Sequence, residues 1–152
     1  MGLDMYLYKR TYVKQWDHEK PEEQYTVTVN KGDKVVKHIK KERVSYVIEE
    51  VAYWRKANHI HQWFVNHVQE GQDDCGEYDV SKKDIQKLVD ACKLILDKDP
   101  GQASILLPRQ AGFFFGNTAY DEEYFEDLKE TVTMLEPLLT EPGEDFYYRA
   151  SW

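Results

Sequence analysis

The sequence predicts an α+β fold, a single domain over residues 1–152 with a mostly antiparallel sheet and about three packed helices. Three observations carry that prediction: strict alternation at the start of the chain, two β-branched runs around an Asn-Lys-Gly turn, and later stretches with apolar residues every three to four positions. A chain of 152 residues is long enough to bury one core without disulfide or metal staples.

Residues 3–13 open the fold as a half-buried strand, with Leu3, Met5 and Leu7 on one face and Asp4, Tyr6 and Tyr8 on the other. Residues 25–29 and 34–39 read as a hairpin, because both are β-branched and the intervening Asn30 and Gly32 suit a tight turn. Residues 44–51 fit a strand, although the Glu-Glu pair within them also tolerates a helix. From about Trp54 to Val68, Ile60, Phe64 and Val68 recur at helical spacing, and Gly71 is placed to end that helix. A polar loop, residues 72–77, leads to a short extended piece at 78–80. Ser81 then caps a helix of roughly 82–97, whose buried stripe is Ile85, Leu88, Val89, Cys92, Ile95 and Leu96. Asp99, Pro100 and Gly101 stop it, and a short apolar segment follows at 103–107. A third helix is expected from about Ala119 to Glu136, with Asp121, Glu122 and Glu123 at the positive end of its dipole. Residues 146–152 have strand composition and should join the sheet.

Twenty basic and 28 acidic side chains leave a net charge of −8, which repels a polyphosphate backbone and disfavours general nucleic-acid binding. Two cysteines, Cys75 and Cys92, are too few for a secreted disulfide framework and read as reduced thiols. The opening residues contain Asp4 and no long apolar run, so neither a signal peptide nor a membrane span is expected, and a cytoplasmic location follows.

The densest chemistry lies in residues 53–63. Arg55 and Lys56 supply charge for a phosphate or carboxylate beside a helix N-terminus, where free N–H groups favour anions. His59 and His61 add hydrogen-bonding imidazoles, and Trp54 or Trp63 offers an indole for stacking. His59, Trp63 and His67 fall on one helical stripe, which serves equally well for packing against a sheet. The imidazoles, Asp73, Asp74 and Cys75 lack the paired spacing of a closed metal site, so no metal or other cofactor is expected. The acidic run 121–127 reads as a charged first turn and solvated face. Residues 112–116, three Phe between glycines, lack the lysine and the glycine spacing of a phosphate loop and suit a core plug, with Arg109 at a pocket rim. The lysines of residues 31–43 fit the outer edge of a hairpin.

Four segments together carry a resemblance: residues 1–7 (MGLDMYL), 53–64 (YWRKANHIHQWF), 112–116 (GFFFG) with 120–124, and the closing 146–152 (FYYRASW). They resemble a family of small uncharacterised bacteriophage and prophage proteins, in the same order over nearly the whole chain. Some relatives carry the label phosphoglycerate kinase, but this chain is too short for a two-domain sugar-phosphate kinase and has no nucleotide-binding glycine motif. The resemblance implies a viral origin and action in the bacterial host's cytoplasm; it transfers no catalytic residue.

The expected function is that of a non-virion phage protein, leaning away from enzyme, that binds a small anionic, nucleotide-like ligand and sequesters a host defence signal. Its expected ligand-binding residues are Trp54, Arg55, Lys56, His59, His61 and Trp63, with Arg109 and Arg149 as further contributors. Two alternatives stand beside it. One is a small hydrolase or transferase acting on such a ligand, and the other is an inhibitor that docks on a host protein. No membrane partner is expected, and a homo-oligomer is compatible with the sequence.

Overall fold

The computed structural model describes residues 2–112 and 116–152. Its main sheet has four strands in the order β4-β1-β6-β5: β1 (Asp4–Tyr12), β4 (Tyr46–Arg55), β5 (Tyr78–Val80) and β6 (Phe146–Ser151). The carboxyl-terminal strand is therefore central. It pairs antiparallel with β1, Asp4 opposite Ser151 and Lys9 opposite Phe146, and antiparallel with β5, Tyr78 opposite Tyr148. The helices are α1 (Asn58–His67), α2 (Lys82–Lys93), the short α3 (Ala103–Leu106) and α4 (Glu122–Leu135). The α+β prediction with an antiparallel sheet thus describes the fold. Chain contacts divide it into two compact units, Met1–Lys9 with Glu50–Trp152, and Arg10–Glu49.

In the larger unit, alternation along the strands sorts side chains by face. Leu3, Met5 and Leu7 of the first strand, Ala52 and Trp54 of β4, and Phe146, Tyr148 and Ala150 of β6 are all buried. Against them pack Ile60 and Phe64 of α1, Ile85, Leu88 and Val89 of α2, and Tyr124, Leu128 and Leu135 of α4. Two contacts show how the layers register. The Phe64 and Tyr148 rings stack at 3.9 Å and 9°, seating α1 on β6, and the Trp54 indole N–H donates to Thr131 Oγ1 of α4 at 2.8 Å. Each fully buried side chain of this size contributes about 1.5–3 kcal/mol.

Helix boundaries follow local chemistry. At α2 the Ser81 hydroxyl accepts from the Asp84 N–H while the Asp84 carboxylate accepts from the Ser81 N–H, a reciprocal cap that satisfies two otherwise unpaired donors. The helix then loosens into a π-helical turn, Leu94–Lys98, before Pro100. Asp121 caps α4 through the Tyr124 N–H at 3.2 Å. Pro137 falls in a 3-10 turn, Glu136–Leu139, that continues from it.

Three sequence expectations need correction. The strand β4 runs to Arg55, so Trp54 and Arg55 are strand residues; the Lys56 N–H bonds Leu3 O at 2.7 Å, and this pairing with the chain's start overrides the helical spacing. The helix begins only at Asn58, after Lys56 turns the chain with a left-handed φ of 56°. The hairpin is also much shorter than its β-branched runs suggest. It reduces to β2 (Asn30–Lys31) and β3 (Lys34–Val35), turning at Gly32 with φ 63°, because both strands are solvent-exposed and have no layer to pack on. The predicted core plug at residues 113–115 lies outside the described residues.

The smaller unit, Arg10–Glu49, holds that hairpin and two 3-10 turns, Pro21–Glu23 and Lys41–Arg43. Among its described residues only Val13 is buried.

Candidate functional site

The site begins where β4 gives way to α1. Ala57 occupies the N-cap without a side-chain cap, and the first turn carries no acidic residue. Asn58 is fully buried and faces the segment that follows α3: its Oδ1 accepts from the Gln110 N–H and its Nδ2 donates to Asn117 O, both at 2.8 Å. One amide thereby holds both Gln110 and Asn117 to the start of α1. Gly116 lies so close that an added Cβ would sit 3.1 Å from Lys56 Cβ.

Next along the helix, His59 is fully buried, with its ring 4.3 Å from that of Tyr124. Arg109 Nη1 approaches His59 Nδ1 at 3.3 Å. A guanidinium has only donors, so Nδ1 is the unprotonated nitrogen and the proton resides on Nε2. That Nε2 faces Asp127 Oδ2 at 3.8 Å, too long for a hydrogen bond. Arg109 is further held by its Nε–H to Ala119 O at 3.0 Å, and its guanidinium lies 5.3 Å from the centre of the Tyr124 ring. Its Nη2 is 3.9 Å from Asp121 Oδ1. Two buried polar atoms of this cluster, His59 Nε2 and Arg109 Nη2, have no hydrogen-bond partner among the described residues.

Burial, then the Arg109 charge, pushes the His59 pKa down to about 3, so the imidazole is neutral. Burial pushes Asp127 up to about 7 against the opposing pull of Arg109, with Glu123, Glu130 and Asp121 adding to the rise. The cluster therefore combines a fixed cation, a neutral imidazole and a carboxyl group that titrates near neutrality.

His61, two residues on, points elsewhere. Its Nδ1 meets the Tyr148 hydroxyl at 2.7 Å and its Nε2 meets Asp73 Oδ1 at 2.8 Å. Burial, followed by the Asp73 charge, raises the Tyr148 pKa well above its ordinary value, so the phenol keeps its proton and donates it to Nδ1. His61 then gives its Nε2–H to Asp73. This Tyr-His-Asp chain ties the central strand through α1 to the loop after it.

The expected binding residues therefore fall into several environments. His59 and Arg109 come together. His61 joins Tyr148 and Asp73 instead. Trp54 lies in the core with its indole N–H engaged, and Trp63 is buried with its ring stacked on His67 at 4.5 Å. Arg55, Lys56 and Arg149 are exposed, Arg149 opposite Tyr6 in the β1–β6 register. The stripe of His59, Trp63 and His67 is divided between the Tyr124 contact and the Trp63–His67 stack.

Sequence reasoning missed Asn58, Tyr124 and Asp127. It assigned Asp127 to a solvated face, whereas the carboxylate side chain is only 20% exposed. A signal was present, since Tyr124, Asp127, Leu128, Thr131 and Leu135 are spaced by three and four and share the buried side of α4. No group of three His, Cys, Asp or Glu side chains is arranged for a metal ion among the described residues. Cys75 is exposed and Cys92 buried, both free; burial pushes the Cys92 thiol up to about 12.

The chain is thus an α+β protein in which Arg109 and His59 are buried together at a helix start beside the partly buried Asp127. No protein-family model matches the chain, and neither the curated proteins nor the solved structures give a match. No helix among the described residues is long and apolar enough to cross a membrane.

Proposed function

We propose that this chain binds a small anionic, nucleotide-like ligand at the Arg109–His59 cluster, and that it sequesters a defence signal in the cytoplasm of a bacterial host as a non-virion phage protein. The phage setting rests on the resemblance of its four sequence segments. The binding reading rests on one observation: Arg109 is buried and held by Ala119 and His59, yet its Nη2 has no hydrogen-bond partner among the described residues. A desolvated guanidinium donor without an acceptor is costly, and an oxyanion or water satisfies it. His59 Nε2, also without a hydrogen-bond partner there, lies 3.8 Å from Asp127 Oδ2 on the other side of the imidazole from Arg109. Tyr120 is exposed at 42%, and its hydroxyl accepts from the Arg109 backbone N–H at 3.1 Å, which places a ring for stacking next to the charge.

A thermal-shift screen of nucleotides and cyclic nucleotides tests this reading. A ligand present at 100 times its dissociation constant adds about 2.7 kcal/mol to stability. The shift should vanish in Arg109→Met, and no shift from any member of the panel overturns the proposal.

Asp127 favours a second reading, a hydrolase or transferase acting on such a ligand. A carboxyl raised to about 7 beside His59 suits proton transfer near neutral pH. Turnover of a bound nucleotide that disappears in Asp127→Asn while binding persists would select this reading over sequestration.

A further inference from the structure

Two features of the chain remain without a role, and their charges are opposite. The first is the face of the sheet turned away from the helices in the larger unit. Tyr6 and Tyr8 lie there with rings 5.8 Å apart and nearly parallel, Tyr53 tilts against Tyr6 at 5.3 Å, and Tyr147 stacks on Tyr8 at 5.0 Å. Carboxylates flank these rings. Asp4 Oδ1 accepts from the Tyr53 hydroxyl at 2.5 Å, and the Tyr8 phenol is held above its ordinary pKa first by burial and then by the Glu50 charge. Arg149 and Arg55, the latter alternating with Tyr53 along β4, are basic side chains on this face. A row of π faces edged by carboxylates is a surface for ammonium and guanidinium groups.

The second feature is residues 31–43 of the smaller unit, which contain six basic and two acidic side chains. All six cations are exposed, as are Val35 and Ile39 among them. With residues 27–29, this segment lines an open groove of about 320 Å³, to which Val27, Val29 and Val35 and the lysines Lys37, Lys40 and Lys41 contribute. Residues 10–49 hold nine basic and seven acidic groups, while the remainder of the chain holds eleven and twenty-one. The chain thus consists of a unit of net charge +2 with an open apolar groove and one of −10 whose tyrosine face has Tyr53 exposed, Tyr6 and Tyr8 half-buried and Tyr147 buried.

We propose that two copies of this chain associate reciprocally, the basic segment 31–43 of each lying on the tyrosine face of the other. The occupant is a second copy because the chain itself carries both complementary surfaces, and exchange between identical copies makes two equal contacts and closes the assembly. Lysines of the segment sit over the tyrosine rings beside Glu50 and Asp4. Asp33 and Glu42 of the segment supply the counter-charges for Arg55 and Arg149.

Sedimentation velocity on the full chain at low salt and at high salt tests the proposal. The expected result is a dimer that dissociates as salt screens the charges. Lys37→Glu/Lys40→Glu/Lys41→Glu and, separately, Glu50→Lys alter exposed side chains, so each should keep the wild-type circular dichroism spectrum. Each should weaken self-association at least about tenfold. An equimolar mixture of the two variants restores opposite charges at both contacts and should recover the dimer. A wild-type chain that stays monomeric at low salt across the concentration range overturns the proposal. So does a dimer indifferent to both variants, or a mixture that fails to associate.

Discussion

Arg109 donates to His59 Nδ1 across 3.3 Å, and that contact fixes the imidazole's tautomer. Burial first, and the Arg109 charge second, keep His59 neutral, so its proton is on Nε2, 3.8 Å from Asp127 Oδ2, whose own pKa burial raises to about 7 against the pull of Arg109. Removing the guanidinium should therefore be felt at His59. In Arg109→Met, the His59 pKa should rise from about 3, since one of the two causes of its depression is gone, and NMR titration of the imidazole reads it directly. Stability should fall by about 1–3 kcal/mol, because the buried Nδ1 loses its donor.

Asp127 and His59 should impose opposite pH dependences. The folded state raises Asp127 from 3.8 to about 7, so its contribution is fully present below pH 4 and is lost as pH rises through 7. The folded state lowers His59 from 6.5 to about 3, so its contribution is present above 6.5 and is lost as pH falls through 3. Between about pH 4 and 6.5 the two slopes offset each other. Denaturant unfolding should accordingly show a rising limb over that window in Asp127→Asn, a falling limb in His59→Gln, and a flatter profile in the wild type. At pH 8, Asp127→Asn should be the more stable chain by about 1–3 kcal/mol.

Asn58→Ala removes the amide that holds Gln110 and Asn117. Its cost should be about 1–3 kcal/mol, as the Gln110 N–H and the Asn117 carbonyl each lose a buried-side partner. Hydrogen exchange should accelerate at the Gln110 amide far more than at amides of α2, whose cap and packing are untouched.

Tyr148→Phe keeps the ring stacked on Phe64 but deletes the hydroxyl that serves His61 Nδ1. A stability loss of about 1–3 kcal/mol is expected from the unsatisfied imidazole nitrogen. Asp73→Asn should cost less, since Asp73 is about one-third exposed and water substitutes on that side.

Lys56→Gly should stabilise the chain by about 0.5 kcal/mol, because φ 56° strains an L side chain and glycine adopts it freely. Lys56→Ala should give no gain. Thermal melts of the pair separate backbone strain from loss of the ammonium group.

The helices α2 and α4 and the first and last strands were legible because each carries its signal locally, whereas α3 was read only as a short apolar segment. Ser81 with Asp84 announces α2, and the alternation of Leu3, Met5 and Leu7 announces β1. The boundary between β4 and α1 was not, because Trp54 fits a helical stripe as well as a strand; the pairing that assigns it to the sheet comes from Leu3, more than fifty residues away. The site was half legible. His59 and Arg109 attract notice by residue type, whereas Asp127 resembles a solvated residue in an acidic run until α4 is seen to turn it inward.

The sequence by itself determined the class of fold, the burial stripes and the charge contrast between residues 31–43 and the rest, because period, capping chemistry and formal charge are properties of neighbouring residues. Tertiary structure alone decided which polar groups meet. It parted His59 from His61, sent Trp54 into the core, and brought Arg109 and Asp127 to one imidazole from segments 50 and 68 residues away along the chain. The reason is physical: a buried polar group is defined by its partners, and those partners are chosen by packing between distant elements.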